Sequence, residues 1–145
     1  FRRVLFRSKA MILITDGKDT TSKIQLNSAL VAVHNSDAVI YAIAIAPEWR
    51  TALSRRGWTS DADVSALKRM SAETGGRTFY VHEATEFDRV FTQINDELRN
   101  QYSLAYVSTN TDKDGKFRRM RIVPRDPSLR INARKGYFAP GPESK

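Results

Sequence analysis

The stretch that most constrains the fold is a run of five apolar residues, Ala10 to Ile14, which stops abruptly at Thr15, Asp16 and Gly17. An apolar run without alternation is typical of a strand that is buried on both faces, as in a parallel sheet covered by helices. Ligands bind such open sheets at the carboxyl ends of the strands. Asp16 is therefore expected at a binding edge.

The segments that follow alternate between helical and strand patterns. They predict first a helix at about 23–34, which begins with a capping-box pattern of Ser22 and Gln25, and then a strand at 38–46. A second helix is predicted to end at Gly75 and Gly76, and a strand follows at 77–81. The last helix has an apolar stripe of Phe87, Val90, Phe91, Ile94 and Leu98. Strand and helix in alternation predict right-handed crossovers and a parallel sheet.

The pattern changes after residue 100. Short β-type runs at 102–108, 117–124 and 129–133 are separated by clusters of turn residues at 110–115 and 126–128. They predict an antiparallel hairpin or meander attached after the last helix. The tail, residues 140–145, is rich in proline and glycine and is expected to be disordered.

Composition excludes several classes of site. The chain has 145 residues, no cysteine and a formal charge of +8. The absence of cysteine excludes thiol catalysis, zinc thiolate sites and disulfides. No stretch of the sequence is long and apolar enough to predict a membrane span. Residues 1–8, FRRVLFRS, match the translation of a widely used sequencing-adapter oligonucleotide, so we expect an artefactual leader there.

Five segments of the sequence together resemble a known protein family. The segments are, in succession, ILITDGKD, AVIYAIAI, LKRMSAETGGRTFYV, EFDRVFTQINDELRNQYSLAYVSTN and RINARKGYFAP. Their order resembles that of the second half of a von Willebrand factor type A domain. The resemblance is to the bacterial branch called von Willebrand factor A-related and covers Lys9 to about Pro140. It implies an α/β fold with a doubly wound, mostly parallel, Rossmann-like sheet, incomplete here, with a C-terminal antiparallel β extension.

The resemblance also implies a metal site. In the family, a metal-ion-dependent adhesion site takes an Asp-x-Ser-x-Ser motif, a threonine and the aspartate of a Thr-Asp-Gly motif, and Asp16 occupies that aspartate position. No Asp-x-Ser-x-Ser occurs in this sequence. We therefore expect Mg²⁺ or another divalent cation in an intact parent protein truncated here at its N-terminus, and no metal bound by this fragment alone. Magnesium prefers octahedral oxygen ligation, which one carboxylate does not supply.

The organisation and role implied by the resemblance are as follows. Residues 1–8 form the leader, 9–100 a partial von Willebrand factor A-like domain, 101–139 the β extension and 140–145 the tail. The function implied is adhesion-type protein binding through the metal site, with no enzymatic activity, a protein ligand and no nucleic acid. The location implied is extracellular or periplasmic in a bacterium. A sheet that lacks strands on one side is also expected to aggregate through its free edge.

Other interpretations remain open at this point. Asp16 and Asp19 could be paired carboxylates of a magnesium-dependent enzyme, and the C-terminal arginines could form a nucleic-acid-binding surface. Residues 110–115 fit the opening of a calcium loop, although a turn explains them better. The two histidines, His34 and His82, are interpreted as surface or capping residues. Trp49 and Trp58 either contact a partner or pack their own loop.

Overall fold

The structure, a computed structural model, describes residues 9–15, 23–45 and 61–142. Its elements in order are β1 (Lys9–Thr15), α1 (Leu26–Asn35), β2 (Ala38–Ile45), α2 (Asp61–Thr74), β3 (Thr78–Val81), a 3-10 turn (Ala84–Glu86), α3 (Phe87–Arg99), β4 (Phe117–Arg119) and β5 (Gly136–Phe138). The first three strands form a parallel sheet in the order β1-β2-β3, and β4 and β5 form a separate antiparallel pair. An α/β fold with a parallel sheet and an antiparallel extension is therefore confirmed.

The centre of the sheet is β2, which is covered on both faces. Successive side chains of a strand point to opposite faces, so its residues divide into two sets. Tyr41 and Ile43 pack with Phe79 and Val81 of β3 and with Val90 and Ile94 of α3. Ala42 and Ala44 pack on the other face with Leu67 and Met70 of α2 and with Leu13 of β1. Helices therefore lie on both faces of the sheet, as the unbroken apolar run of β2 predicts.

The burial predicted for β1 is wrong. Met11, Ile12 and Ile14 are 51%, 41% and 48% exposed, and only Leu13 and Thr15 are partly covered. The reason is its position, because β1 pairs with β2 alone among the strands that the structure describes, while the helices cover β2 and β3. An apolar run predicts burial only when neighbouring elements are present to provide it.

Helix boundaries follow the sequence signals in part. Helix α2 ends at Thr74 as predicted, and Gly75 adopts a left-handed φ of +86° that suits glycine. The next residue, Gly76, lies directly against the carbonyl oxygen of Ile40, where a Cβ would have no room. The capping box predicted for α1 is wrong, since α1 begins at Leu26 and the N-cap residue Gln25 makes no side-chain cap bond.

The C-terminal strands differ from the prediction. Residues 102–108 and 129–133 are not strands, and β4 pairs instead with residues 136–138, in the segment RKGYFAP. Residues 140–142 of the tail are described, and the Pro140 carbonyl accepts a hydrogen bond from the Gly115 N–H over 3.1 Å. Residues 143–145 lie outside the described residues.

Candidate functional site

The three parallel strands end at one edge of the sheet. Register places Thr15, the last residue of β1, beside Ala44, and places Ile45, the last residue of β2, beside Val81, the last residue of β3. This carboxyl edge is where a ligand is expected to bind in such a sheet. Asp16 follows Thr15 directly in the sequence.

The residues predicted for the site itself lie outside the described part of the chain. This applies to Asp16, to the alternative carboxylate Asp19, and to both tryptophans, Trp49 and Trp58. Within the described ranges 9–15, 23–45 and 61–142, no group of three or more histidines, aspartates or glutamates could hold a metal ion. Asp16 lies outside these ranges, so its metal role stays a prediction.

The described carboxylates at this edge cap the 3-10 turn that precedes α3. Oε2 of Glu86 accepts hydrogen bonds from the backbone N–H groups of His82, over 2.6 Å, and Glu83, over 3.3 Å. These bonds hold the pKa of the Glu86 carboxyl below its usual range. Oε2 of Glu83 accepts from the Thr85 hydroxyl over 3.3 Å. The described residues therefore do not by themselves fit a magnesium cage, which needs oxygens free to ligate.

The loop at 110–115 is a turn. The Asn110 Oδ1 atom accepts the Asp112 N–H over 2.9 Å, and the Asp114 Oδ1 atom accepts the Lys116 N–H over 3.0 Å. Gly115 has a left-handed φ of +67°. Side-chain oxygens that bond their own backbone two residues on are typical of Asx turns. The turn interpretation is confirmed, although the segment before it is not a strand of a hairpin.

His34 is a buried packing residue, so its interpretation as a surface residue is wrong. It is 8% exposed, and its ring meets Phe117 and Phe138 edge-on, with centroid distances of 4.9 and 6.0 Å. Its Nε2 atom lies 3.5 Å from Oε2 of Glu73, and its buried Nδ1 atom has no hydrogen-bond partner in the described chain. The signal for this role is its position four residues after Leu30, on the buried face of α1.

The β4–β5 pair, which we call the ribbon, packs at the amino end of the sheet. The Lys135 N–H donates to the Glu73 carbonyl at the end of α2 over 3.0 Å, and Arg134 contacts Asp37, which stands just before β2. The Ile40 N–H donates to Oγ1 of Thr74 over 2.9 Å, which fixes the end of α2 beside the start of β2. The ribbon therefore lies at the opposite end of the sheet from the carboxyl edge.

Comparisons with known proteins identify no family. No protein-family model and no curated protein matches the chain. One matching solved structure is the crystal structure of an uncharacterized membrane-spanning protein from Vibrio fischeri, with 23% sequence identity and a TM-score of 0.48. The match covers 61% of this chain and 46% of that one, so this chain spans less than half of the matched protein.

The matched protein is described as membrane spanning, which does not agree with the extracellular or periplasmic location expected from the resemblance. Similarity at this level carries no further statement about this chain. Within the described residues, no helix combines the length and the apolar character that crossing a membrane requires.

Proposed function

We propose that this chain is part of a doubly wound, Rossmann-like domain of von Willebrand factor A type that binds a protein ligand through a divalent metal. The observation that carries the proposal is the common carboxyl edge of three parallel strands, with Thr15-Asp16-Gly17 at the end of β1. An acidic residue that directly follows a strand of a helix-covered parallel sheet is well placed to bind a ligand. Asp16 is the residue that we assign to the metal.

The role of each part follows from elementary coordination chemistry. Bound Mg²⁺ would offer an open coordination position to an oxygen of the partner. The Asp16 carboxylate would supply one protein oxygen and part of the charge that offsets the cation. A glycine after Asp16 in the sequence permits a sharp turn out of the strand, which would keep the carboxylate at the edge.

The free side of β1 supports this proposal. β1 has no strand on the side away from β2 in the described chain, and its apolar side chains are exposed on both faces. A further parallel strand beside β1 would pair with its backbone, and the helix that connects such a strand would help to cover these side chains; the strand would end at the same edge as β1. Such a strand is the natural carrier of the Asp-x-Ser-x-Ser oxygens that this sequence lacks.

We favour protein binding over the two alternatives. A nucleic-acid surface on the C-terminal arginines would also use aromatic rings as stacking platforms for bases, and Phe117, Tyr137 and Phe138 are near these arginines in the sequence. Phe117 and Phe138 instead pack on each other at 5.2 Å and on His34, and Tyr137 packs against Tyr106. The magnesium-dependent enzyme would need Asp16 and Asp19 in one cleft, and both residues lie outside the described part of the chain. We propose a binding module because the resemblance implies adhesion-type protein binding.

The test is to read the source DNA upstream of the codon for Lys9. The proposal expects an open frame that encodes a further apolar strand ending in Asp-x-Ser-x-Ser. A frame without such a strand, or with a strand that lacks the hydroxyl residues, would overturn the metal-dependent function.

A further inference from the structure

A basic cleft lies at the amino end of the sheet, opposite the carboxyl edge at which β1 ends. It has a volume of about 520 Å³ and is formed between Glu73 at the end of α2 and the ribbon. Arg119, Arg121, Arg134 and Lys135 line it, against Glu73 as the one carboxylate in its wall. The cleft therefore carries an excess of positive charge.

Two of these charged groups already have partners. Nη1 of Arg134 lies 2.7 Å from Oδ1 of Asp37, and its Nη2 atom donates to the His34 carbonyl over 2.8 Å. The Glu73 carboxylate faces His34 at 3.5 Å. Arg119, Arg121 and Lys135 are exposed and form no ion pair within the described residues. These three cations are available to an anionic ligand.

The cleft also lies where the ribbon stops pairing. The last cross-strand bond runs from the Met120 N–H to the Lys135 carbonyl over 2.7 Å. Beyond it, no backbone hydrogen bond joins residues 121–123 to residues 131–133 in the described chain. Unpaired backbone groups beside a strand can pair with an added extended segment.

Apolar side chains complete the lining. Ile122 and Ile131 are 42% and 44% exposed, and both line the cleft with Met120. Free backbone groups, apolar side chains and three available cations are together the features that recognise an extended peptide of alternating acidic and apolar residues. A nucleic acid would instead stack its bases on aromatic rings, and the nearby Phe117, which is 36% exposed, and Phe138 already make edge contacts with His34.

We propose that this cleft binds an extended acidic segment of a partner protein. The backbone of the segment pairs with residues 121–123, its apolar side chains contact Ile122 and Ile131, and its carboxylates meet Arg119, Arg121 and Lys135. This site goes beyond the metal-dependent function proposed above, because it lies at the other end of the sheet and uses no metal.

The test uses the full chain and a fluorescent hexapeptide of alternating glutamate and valine, with binding followed by anisotropy. Reversing two charges, Arg119→Glu with Arg121→Glu, should weaken binding about tenfold or more, because two carboxylate contacts become repulsive. The control is Arg125→Glu with Arg130→Glu, which changes the net charge equally at exposed residues that lie between β4 and β5 and outside the cleft lining. It should weaken binding less than about threefold. Arg119→Gln with Arg121→Gln tests the same contacts without adding carboxylates.

Three further measurements complete the test. Replacing glutamate by glutamine in the peptide should abolish binding, and raising NaCl from about 50 to about 300 mM should weaken it. EDTA and Asp16→Ala should leave it unchanged, so that failure here is distinguishable from failure of the metal-dependent function. Equal effects of the two double reversals, equal binding of the glutamine peptide, or a preference for a single-stranded oligonucleotide would overturn the proposal.

Discussion

Nη1 of Arg134 bonds Oδ1 of Asp37 over 2.7 Å across 97 positions of sequence. The same guanidinium donates through Nη2 to the His34 carbonyl over 2.8 Å. These contacts join the C-terminal segment before β5 to the turn between α1 and β2. With the His34 ring packed against Phe117 and Phe138, they fix the ribbon on the α/β unit.

Replacing Arg134 tests this connection. Arg134→Gln should lower the free energy of unfolding by about 1 to 2 kcal/mol, because a charge-assisted bond to a backbone carbonyl is lost. The control Asp37→Asn removes only the ion pair and keeps a residue that tolerates the φ of +52° there. Because the Asp37 side chain is 77% exposed, its change should stay below about 1 kcal/mol. Urea denaturation followed by circular dichroism measures both, and a larger effect of Asp37→Asn would contradict the account.

Gly76 tests the close approach of the α2 terminus to β2. A methyl group there would meet the Ile40 carbonyl oxygen, which belongs to the backbone of the central strand and cannot easily move. Gly76→Ala should therefore lower the free energy of unfolding by about 3 kcal/mol. Gly141→Ala is the matched control, since a Cβ there has nothing within 4 Å, and it should change stability by less than about 0.5 kcal/mol. Similar melting temperatures for the two variants would refute the packing described here.

The lowered pKa of the Glu86 carboxyl predicts that the stability of the fold depends on pH. Backbone N–H groups lower the pKa of its carboxyl in the folded state, so the charged form stabilises the fold. That stabilisation is present above the pKa of the unfolded chain, about 4.3, and is lost as the pH falls through the lower folded value. Glu86→Gln should therefore flatten the fall in melting temperature below about pH 4. A Glu86→Gln profile parallel to that of the wild type would show that the cap does not contribute.

The exposed edge strand predicts self-association. Ile14 is 48% exposed on β1, and no described strand pairs with the side of β1 away from β2, so that side can pair with another chain. Ile14→Lys should reduce concentration-dependent association, measured by sedimentation velocity, because a lysine on an edge strand opposes pairing. Ile24→Lys makes the same change at a 67% exposed position outside the strands and should have little effect. A wild-type chain that stays monomeric at high concentration would argue against an open edge.

The parallel sheet was predictable because its signals are local. The unbroken apolar run of β2 indicates a buried strand, and the helical spacing of the apolar residues of α3 indicates an amphipathic helix. Both elements lie at nearly the predicted residues. The exposure of β1 was not predictable from its own residues, because burial depends on what lies beside a strand. An unbroken run such as Ala10 to Ile14 indicates a strand, and its neighbours decide whether the strand is covered.

The C-terminal pairing and the packing of His34 could not be predicted in the same way. Residues 102–108 have strong β propensity, yet β4 pairs with Gly136–Phe138, since strand pairing is decided by distant partners. His34 packs against rings more than 80 positions away in the sequence. For the candidate site, the sequence predicted that Asp16 follows a strand at the carboxyl edge of the sheet. The structure describes that strand as far as Thr15.

The most direct test of the central claim is a calorimetric titration of Mg²⁺ into the protein expressed from its full reading frame. The wild type should bind the metal, and Asp16→Ala should lose at least about 1.4 kcal/mol of binding free energy, a tenfold change in affinity, because a direct carboxylate ligand is gone. Asp19→Ala, the matched control, should retain affinity within about threefold. Equal affinities of the wild type and Asp16→Ala, or loss of binding with Asp19→Ala alone, would contradict the assignment of the metal site to Asp16.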